Sequence, residues 1–359
     1  MQLKKIEILQ FKSYSEASFD FDAPVCAFVG DNGVGKTNIL EAIYYLCMTK
    51  GYFQGLDTHL VKKNCAFFAL TGYFHSQTNE EVEKITCAYQ QGAKKTFKHN
   101  GKAYNTLSEH IGKFPVVVIS PYDVELLESS EMRRKFLDAT LAQSDPQYLL
   151  SVMRYKKVLE ERNTLLKQFA QQNYFDGETL QIYSEQLAQY GMDIYQKRSA
   201  FIDFFVPLFD KAYQKVSAKN ETVRLCLESD MQEGDLSDLL AEHLLRDRQR
   251  TYTSVGAHRD DLGFYMQDLP IKKMGSQGQQ KSFLIALKLA QAAFLKHHTH
   301  KSPILLLDDV FDKLDSKRVG NLLHLVTTPN MMKQVFITHT GAADLKDLVP
   351  KHNLQTIVL

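Results

Sequence analysis

The sequence predicts an α/β fold, a mixed sheet with an antiparallel meander beside it, interrupted by a long helical lobe. Three observations carry that expectation. The apolar run Pro24-Val25-Cys26-Ala27-Phe28-Val29 leads into Gly30-Asp31-Asn32-Gly33-Val34-Gly35-Lys36-Thr37, and a helix-forming run over 39–46 follows. Far downstream, Pro303-Ile304-Leu305-Leu306-Leu307 ends in the paired carboxylates Asp308 and Asp309. Between the two lie stretches whose apolar residues recur at alternating steps of three and four, the spacing of helices packed along a narrow seam.

The first of these is a phosphate-binding loop in its proper context of strand, loop and helix. The glycines let the backbone wrap a phosphate, and the N–H groups of the loop and of the helix N-terminus hold it. Lys36 supplies a point charge and Thr37 a hydroxyl ligand for Mg²⁺. The residues expected around the nucleotide are therefore Gly30, Asp31, Asn32, Gly33, Val34, Gly35, Lys36 and Thr37. A strand that delivers paired carboxylates supplies the second half of such a site. Asp308 would hold the metal and Asp309 would polarise the attacking water. The run Gln334-Val335-Phe336-Ile337-Thr338-His339 then reads as a strand delivering His339, placed as a sensor of the terminal phosphate.

Composition bounds the rest. A chain of 359 residues allows two or three packed units, and 44% hydrophobic content argues against disorder. No apolar run approaches the ~20 residues of a membrane span, and the start of the chain lacks the apolar core of a signal peptide. A cytoplasmic location, away from membranes, is expected. The five cysteines are scattered, as in a reduced compartment. A net charge of +1 means that any nucleic-acid surface is local.

Taken in order, residues 1–30 predict two or three strands with a turn at Phe11-Lys12-Ser13-Tyr14. Strands follow over 67–74, 84–89 and 96–99, with a hairpin at Asn100-Gly101. Lys94, Lys95, Lys98 and Lys102 crowd that hairpin, as a solvated edge or as a phosphate-backbone contact. A buried strand over 114–119 ends at Ser120-Pro121, and Arg133-Arg134-Lys135 opens a helix. Val152, Tyr155, Leu159, Arg162, Leu166 and Phe169 predict one long helix of about 22 residues, or about 33 Å. Leu180, Tyr183, Leu187, Tyr190, Ile194, Lys197, Phe201, Phe204 and Leu208 predict its antiparallel partner. Together they make a short arm, with Arg154, Lys156 and Lys157 exposed. A strand at 223–227 and a helix over 236–249 follow, the latter ending in the basic run Arg246, Arg248 and Arg250. The block Gly256-Ala257-His258-Arg259-Asp260-Asp261 obeys no turn chemistry. Ser276-Gln277-Gly278-Gln279 precedes a helix, either as a plain cap or as a second anion site. His297, His298 and His300 read as a polar loop between that helix and the next strand.

These pieces resemble the ABC-type ATPase heads of the SMC and RecF group. The loop at 30–37, a signature at 275–280, the carboxylate strand at 304–309, a D-loop at Leu314-Asp315 and a switch histidine at His339 occur in that group's order. The blocks Ile119–Asp123, Arg133–Asp138 and 256–262 resemble the RecF family most. Three departures stand out: Ala257 for the usual proline, Gly275 for the leucine that commonly precedes the signature serine, and Asp309 for the glutamate of most ABC enzymes, although RecF-like proteins also carry Asp-Asp. The resemblance implies an ABC/SMC-type P-loop head (1–122 and 251–359) with an inserted α-helical lobe (123–250). It adds Lys12 and Ser13 on the nucleotide side, and Ser276, Gly278 and Gln279 facing the ATP of a second protomer. It further implies an ATP-dependent homodimer that clamps DNA, single-stranded, duplex or gapped, with weak DNA-dependent ATP hydrolysis. RecR and RecO would be partners in loading recombinase on DNA coated by single-strand-binding protein. A transporter subunit would carry a smaller insertion between Lys36 and Ser276. An ABC-headed nuclease would need more chain after Asp309, and a small-molecule kinase would leave the signature unused. The Q-loop residue has no clear glutamine, and the segment near Ser120 is its expected place.

Overall fold

The computed structural model describes residues 1–53, 55–75, 82–217, 221–310, 332–341 and 353–359. The chain divides into two compact units. One comprises Met1–Asp123, Ala212–Ala218 and Lys281–Leu359, and the other Val124–Lys211 and Lys219–Gln280.

The first unit begins with strands β1 (Gln2–Phe11) and β2 (Tyr14–Asp20), joined through Lys12 and Ser13 with Phe11 paired to Tyr14. Strand β3 (Val25–Val29) leads into the loop and helix α1 (Lys36–Met48). The meander follows as β4 (Phe67–His75), β5 (Val82–Gln90), β6 (Thr96–His99) and β7 (Lys102–Ala103). Asn100 and Gly101 make its tight turn with φ of 48° and 81°, the left-handed pair that an Asn-Gly hairpin requires. Together these strands form one antiparallel sheet in the order β2-β1-β4-β5-β6-β7. Strand β8 (Val116–Ile119) is wholly buried and belongs to a different sheet.

The second unit holds α2 (Glu125–Glu128), α3 (Ser130–Ser144), α4 (Pro146–Gln172) and α5 (Gly177–Val216, to residue 211 in this unit). Strand β9 (Val223–Glu228) is followed by α6 (Leu236–Glu242) and α7 (Leu244–Arg250), then by β10 (Asp261–Met266), β11 (Leu269–Pro270) and α8 (Ile271–Met274). The strands pair antiparallel in the order β11-β10-β9. The predicted boundary at 250/251 falls inside this unit. Residues 251–280 pack here because β10 pairs along the whole of β9 and because Asp260 and Asp261 bind Arg198 and Arg133.

The long helices differ from expectation in length and in seam. α4 has 27 residues, about 40 Å, capped by Asp145, whose carboxylate accepts from Gln147 N and Tyr148 N. α5 has 40 residues. Leu180, Leu187, Ile194 and Phe201 are buried as predicted, but Arg198, Phe205 and Phe209 are buried in place of Lys197, Phe204 and Leu208. On α4, Val158 is buried and Leu159 only half so. A straight helix drifts about 20° per heptad against a strict seven-residue repeat, so a seam read at fixed spacing slips by a residue. The single helix expected over 236–249 is two short helices meeting at His243.

The first unit closes with α9 (Gln277–Thr299, from Lys281 in this unit) and strands β12 (Ile304–Leu307), β13 (Gln334–His339) and β14 (Leu354–Val358). α9 runs through His297 and His298, which are helical and not in a loop; His298 Nδ1 lies 3.1 Å from Phe294 O and its ring packs on Phe294. A parallel sheet runs in the order β14-β3-β13-β12-β8. Parallel strands are covered on both faces and so read as unbroken apolar runs; β3, β8, β12 and β13 are buried throughout. Phe11, Phe21, Phe28, Tyr45, Phe68 and Phe336 fill the core around α1, whose residues 39–48 are all buried. Among the described residues, no helix is long and apolar enough to cross a membrane.

Candidate nucleotide-binding site

The sheet order decides where the chemistry gathers. β13 lies between the strand that enters the phosphate loop and the strand that ends in the carboxylates. All three are parallel, so their C-terminal ends share one edge, the place where open α/β sheets bind ligands. The register sets His339 opposite Val29, and Leu307 opposite Ile337 and Ile119. Asp308 therefore emerges level with Thr338, and Gly30 just beyond His339.

The loop itself is shaped by Gly33 and Gly35, with φ of 88° and 108°. A side chain at Gly35 would also collide with Ser13 Oγ, 2.6 Å from where its Cβ would stand. Asp31, Asn32, Gly33 and Val34 are exposed, while Lys36 is buried. Lys36 Nζ donates to the carbonyls of Gly30 at 2.7 Å and Asp31 at 2.9 Å. An ammonium has three protons to give, and these two carbonyls take two of them.

Thr37 Oγ1 donates to Asp308 Oδ1 at 2.8 Å, and Thr338 Oγ1 donates to the same oxygen at 2.9 Å. Burial raises the Asp308 carboxyl above its ordinary value, with Asp309 adding to the effect, while the two threonine hydroxyls and Lys36 oppose it. A hydroxyl and a carboxylate meeting in this way fit Mg²⁺, which takes one or two protein ligands and completes its octahedron with phosphate oxygens and water. Among the described residues no group of three or more acidic, histidine or cysteine side chains forms a metal site by itself. Asp309 N donates to Thr338 Oγ1 at 2.9 Å, and the Asp309 backbone has φ of 48°. Aspartate tolerates that left-handed conformation better than most residues, and the bend carries the chain off the end of the strand. His339 is buried at the end of β13.

Lys12 and Ser13 form the β1–β2 turn beside the loop. Lys12 has φ of 48° and its N–H donates to Leu60 O at 2.8 Å. Ser13 Oγ accepts from Asn38 Nδ2 at 2.8 Å, and Ser13 O accepts from Lys62 Nζ at 2.8 Å. Tyr14 OH donates to Gly35 O at 3.3 Å; burial pushes its phenol up to about 12. Sequence reasoning leaves out Thr338, Tyr14 and Asn38. Thr338 alone carries a signal, a hydroxyl at the buried end of an otherwise apolar strand.

In the second unit, Ser276 and Gln279 form a reciprocal cap. Ser276 Oγ accepts from Gln279 N at 3.3 Å, and Gln279 Oε1 accepts from Ser276 N at 2.7 Å. This is the capping box of a helix N-terminus. Gln279 Nε2 also donates to Glu221 at 2.9 Å, and Gln280 Nε2 to Gly275 O at 2.9 Å. Gly278 lies in the first turn of α9. The D-loop residues Leu314 and Asp315 lie outside the described residues.

At the expected place of the Q-loop residue, the turn after β8 is closed by Asp123. Its carboxylate accepts from Ser120 N, Tyr52 OH and Lys288 Nζ, each at 2.8 Å, and both Asp123 and Lys288 are buried. Lys95 is not a free edge lysine. It pairs with Asp57 at 2.8 Å and donates to Thr49 O at 2.7 Å, satisfying the C-terminus of α1. His110, kept neutral by burial with a pKa of about 4, lies 2.7 Å from Leu46 O at the same helix end. Arg248 stacks on Phe175 at 3.9 Å, and Arg154 lies over Tyr190 at 5.9 Å.

The family description "RecF/RecN/SMC N terminal domain" matches residues 2–348. A Flavobacterium johnsoniae protein named DNA replication and repair protein RecF is 47% identical over 341 residues, 95% of this chain and 94% of its own. The chain belongs to the RecF family. The RecF of Phocaeicola vulgatus is 41% identical over 353 residues, 98% of this chain and 94% of its own. A solved structure of the recombination mediator protein RecF with ATP, in the RecFOR pathway, superposes with a TM-score of 0.88 at 30% identity, over 95% of this chain and 92% of that one. A Smc head bound to the C-terminal winged-helix domain of ScpA superposes at 0.58 with 16% identity, over 99% and 94%. The fold is thus that of an ABC/SMC-type ATPase head, common to RecF and Smc heads.

Proposed function

We propose that the chain is a RecF-type, ATP-dependent DNA-binding protein of replication and recombinational repair. The observation that carries this reading is the single sheet edge on which Lys36, Thr37, Asp308, Thr338, Asp309 and His339 converge, in a chain of the RecF family. Gly30 to Thr37 cradle the β- and γ-phosphates of ATP, with Lys12 and Ser13 beside them. Thr37 and Asp308 would hold Mg²⁺, which would supply charge neutralisation on the phosphates. Asp309 orients and deprotonates the attacking water, and His339 reads the terminal phosphate. Aspartate reaches water less well than glutamate, so turnover is slow.

The head proper comprises the first unit, with the second unit as its lobe. Ser276, Gly278 and Gln279 of one protomer close on the nucleotide held by another, so that ATP joins two copies around DNA and hydrolysis parts them. RecR, and RecO in the same pathway, are the partners that go with this activity, in the cytoplasm.

Fluorescence anisotropy of a labelled gapped duplex, titrated in ATP–Mg²⁺ and in ADP at a stated salt concentration, tests the reading. Tighter binding with ATP, lost in Lys36→Met, supports it. Equal, weak binding in both nucleotides would separate DNA from the ATP site and end it. Ser276→Arg is expected to abolish the ATP-dependent dimer in sedimentation runs while the monomer still binds ATP. Undiminished dimers would exclude the sandwich.

A further inference from the structure

Two blocks singled out in the sequence, 133–138 and 256–262, take no part in the nucleotide site. Both belong to the second unit, and they meet around Arg198 of α5. Arg198 is buried and engages four of its five guanidinium N–H donors. Nη1 donates to Ala257 O and to Asp260 Oδ2, each at 2.6 Å; Nη2 donates to Asp138 Oδ1 at 2.8 Å; Nε donates to Tyr148 OH at 3.0 Å. Beside it opens a cavity of about 220 Å³, walled by Arg134, Lys135, Lys156 and Arg198.

Six cations crowd this region: Arg133, Arg134, Lys135, Lys156, Arg198 and Arg259. Four carboxylates face them: Glu131, Asp138, Asp260 and Asp261. Within the cavity lining itself, the four cations Arg134, Lys135, Lys156 and Arg198 stand against the two carboxylates Glu131 and Asp138. Arg133 pairs with Asp261 at 2.6 Å, Lys135 with Glu131 at 2.7 Å, and Lys156 with Asp138 at 3.5 Å. Arg134 has no carboxylate within 4.0 Å among the described residues. Its one hydrogen bond runs from Nη1 to the backbone carbonyl of Asp260 at 2.9 Å. Burial, and then the like charges of Arg198 and Arg259 against Asp261 and Glu131, disfavour its charge. An anion placed there would relieve that field.

The rest of the lining holds the carboxylates Glu131 and Asp138, the apolar Val152 and Ile194, and the neutral pair Tyr155 and His258. His258 lies with Nε2 3.0 Å from Thr253 O, an acceptor only, so Nε2 carries the proton and Nδ1 accepts from Tyr155 OH at 2.8 Å. Burial holds His258 down to a pKa of about 4. Gly256, at φ 114°, permits this approach, because a Cβ there would stand 2.7 Å from Tyr155 OH. Both polar groups are therefore spent on each other. The volume lies below the roughly 300 Å³ at which pockets begin to enclose a whole small ligand. It suits one tetrahedral group with a short length of its ester. A guanidinium fork with donors to spare matches phosphate oxygens better than a point charge does.

We propose that this pocket is a second phosphate-binding site, in which Arg134 clasps one phosphate group with Lys135 and Lys156 at the mouth. The group comes from a nucleic-acid backbone or from a free phosphate, and two experiments on the full chain separate the sources. The first, which rests on the DNA-binding reading, measures anisotropy of a labelled duplex across a salt series for wild type and Arg134→Gln. Affinity should fall roughly tenfold near ~0.1 M salt, and the salt slope should drop by about one, with ATP binding unchanged. The second measures broadening of the inorganic phosphate signal by phosphorus NMR in a Lys36→Met background, which disables the nucleotide loop. Arg134→Gln should remove the broadening whether or not the protein binds DNA. Loss in either experiment supports the pocket and names its source. A wild type that fails on DNA but passes on phosphate would overturn the DNA reading alone. An unchanged slope together with unchanged broadening would overturn the pocket. Should Arg134→Gln melt early, Lys156→Gln, at an exposed position, gives the same comparison with smaller shifts.

Discussion

In the first unit the decisive charges stand at the ends of strands; in the second they stand in the middle of helices. Asp308 and Asp309 follow four apolar residues of β12, and Lys36 opens α1 directly after the loop. Each is delivered to a common edge by backbone geometry, with partners that are themselves strand or loop ends. Arg162 and Arg198 lie inside α4 and α5. Arg162 is fully buried and reaches Asp247 at 2.9 Å, 85 residues away, and Thr253 Oγ1 at 2.7 Å, 91 residues away. Burial works against the charge of Arg198, yet Tyr148, Asp138 and Asp260 hold its pKa above the usual value. Asp138 is likewise penalised by burial and still held below its usual value, chiefly by Arg198 and Lys156. A strand end exposes a charge to ligand and water. A mid-helix arginine at a seam must instead find every partner within the protein, or pay the cost of an unpaired buried charge.

The contrast predicts opposite responses to mutation. The largest effect is expected at the sheet edge and in catalysis only. Asp309→Asn should lower ATP turnover by about 10²–10⁴-fold, the worth of a positioned general base, while leaving stability unchanged, since asparagine also tolerates φ of 48°. Steady-state phosphate release beside a urea melt would check both halves. In the second unit, Arg162→Ala should cost about 3–5 kcal/mol of stability by stranding Asp247, whereas the double change Arg162→Leu with Asp247→Leu should recover most of it. If the single and double variants melted alike, the pair would not be coupled.

A smaller effect sharpens the edge itself. Thr338→Val removes a hydroxyl that serves both Asp308 and Asp309 N, at a cost of about 1–3 kcal/mol. It also removes a bond that holds the Asp308 carboxyl down. Because burial raises that carboxyl, the folded protein keeps its proton to a higher pH than an exposed aspartate does. Its contribution to stability is present in acid and lost as pH rises through the raised value. On the proposed reading, binding of Mg²⁺ at Asp308 would run the other way and need the ionised form. Affinity for ATP–Mg²⁺ should therefore fall as pH drops through a value above 3.8, and Thr338→Val should move that limb to higher pH still. Isothermal titration across pH would detect the move. The smallest effect concerns the cap of α9. Ser276→Ala should cost about 1 kcal/mol of local helix stability, read by hydrogen exchange over 276–280.

What could be read in advance follows the same division. The phosphate loop, the carboxylate strand and the Asn-Gly hairpin announce themselves because residues adjacent in sequence do the work together. The arm was legible as two long helices, but its seam slipped between Lys197 and Arg198, where helical drift outran a fixed repeat. The lysines near the meander looked alike in sequence, and one of them, Lys95, proved to be a helix cap. Gly256 to Asp261 had no local meaning because its partners are Arg198, Tyr155, Arg134 and Arg133, up to 128 residues away.

By itself the sequence determined the strand–loop–helix of the nucleotide site, the apolar strand carrying Asp308 and Asp309, the meander, and the helical character of the insertion. Each rests on periodicity or on backbone preference, which act over a few residues. Only the tertiary structure decided that β13 lies between β3 and β12, bringing Thr338 onto Asp308. It alone joined 251–280 to the second unit and gathered two distant blocks around Arg198. Those outcomes depend on which strands pair and which buried charges find counter-charges, and both are settled by contacts between segments that the chain holds far apart.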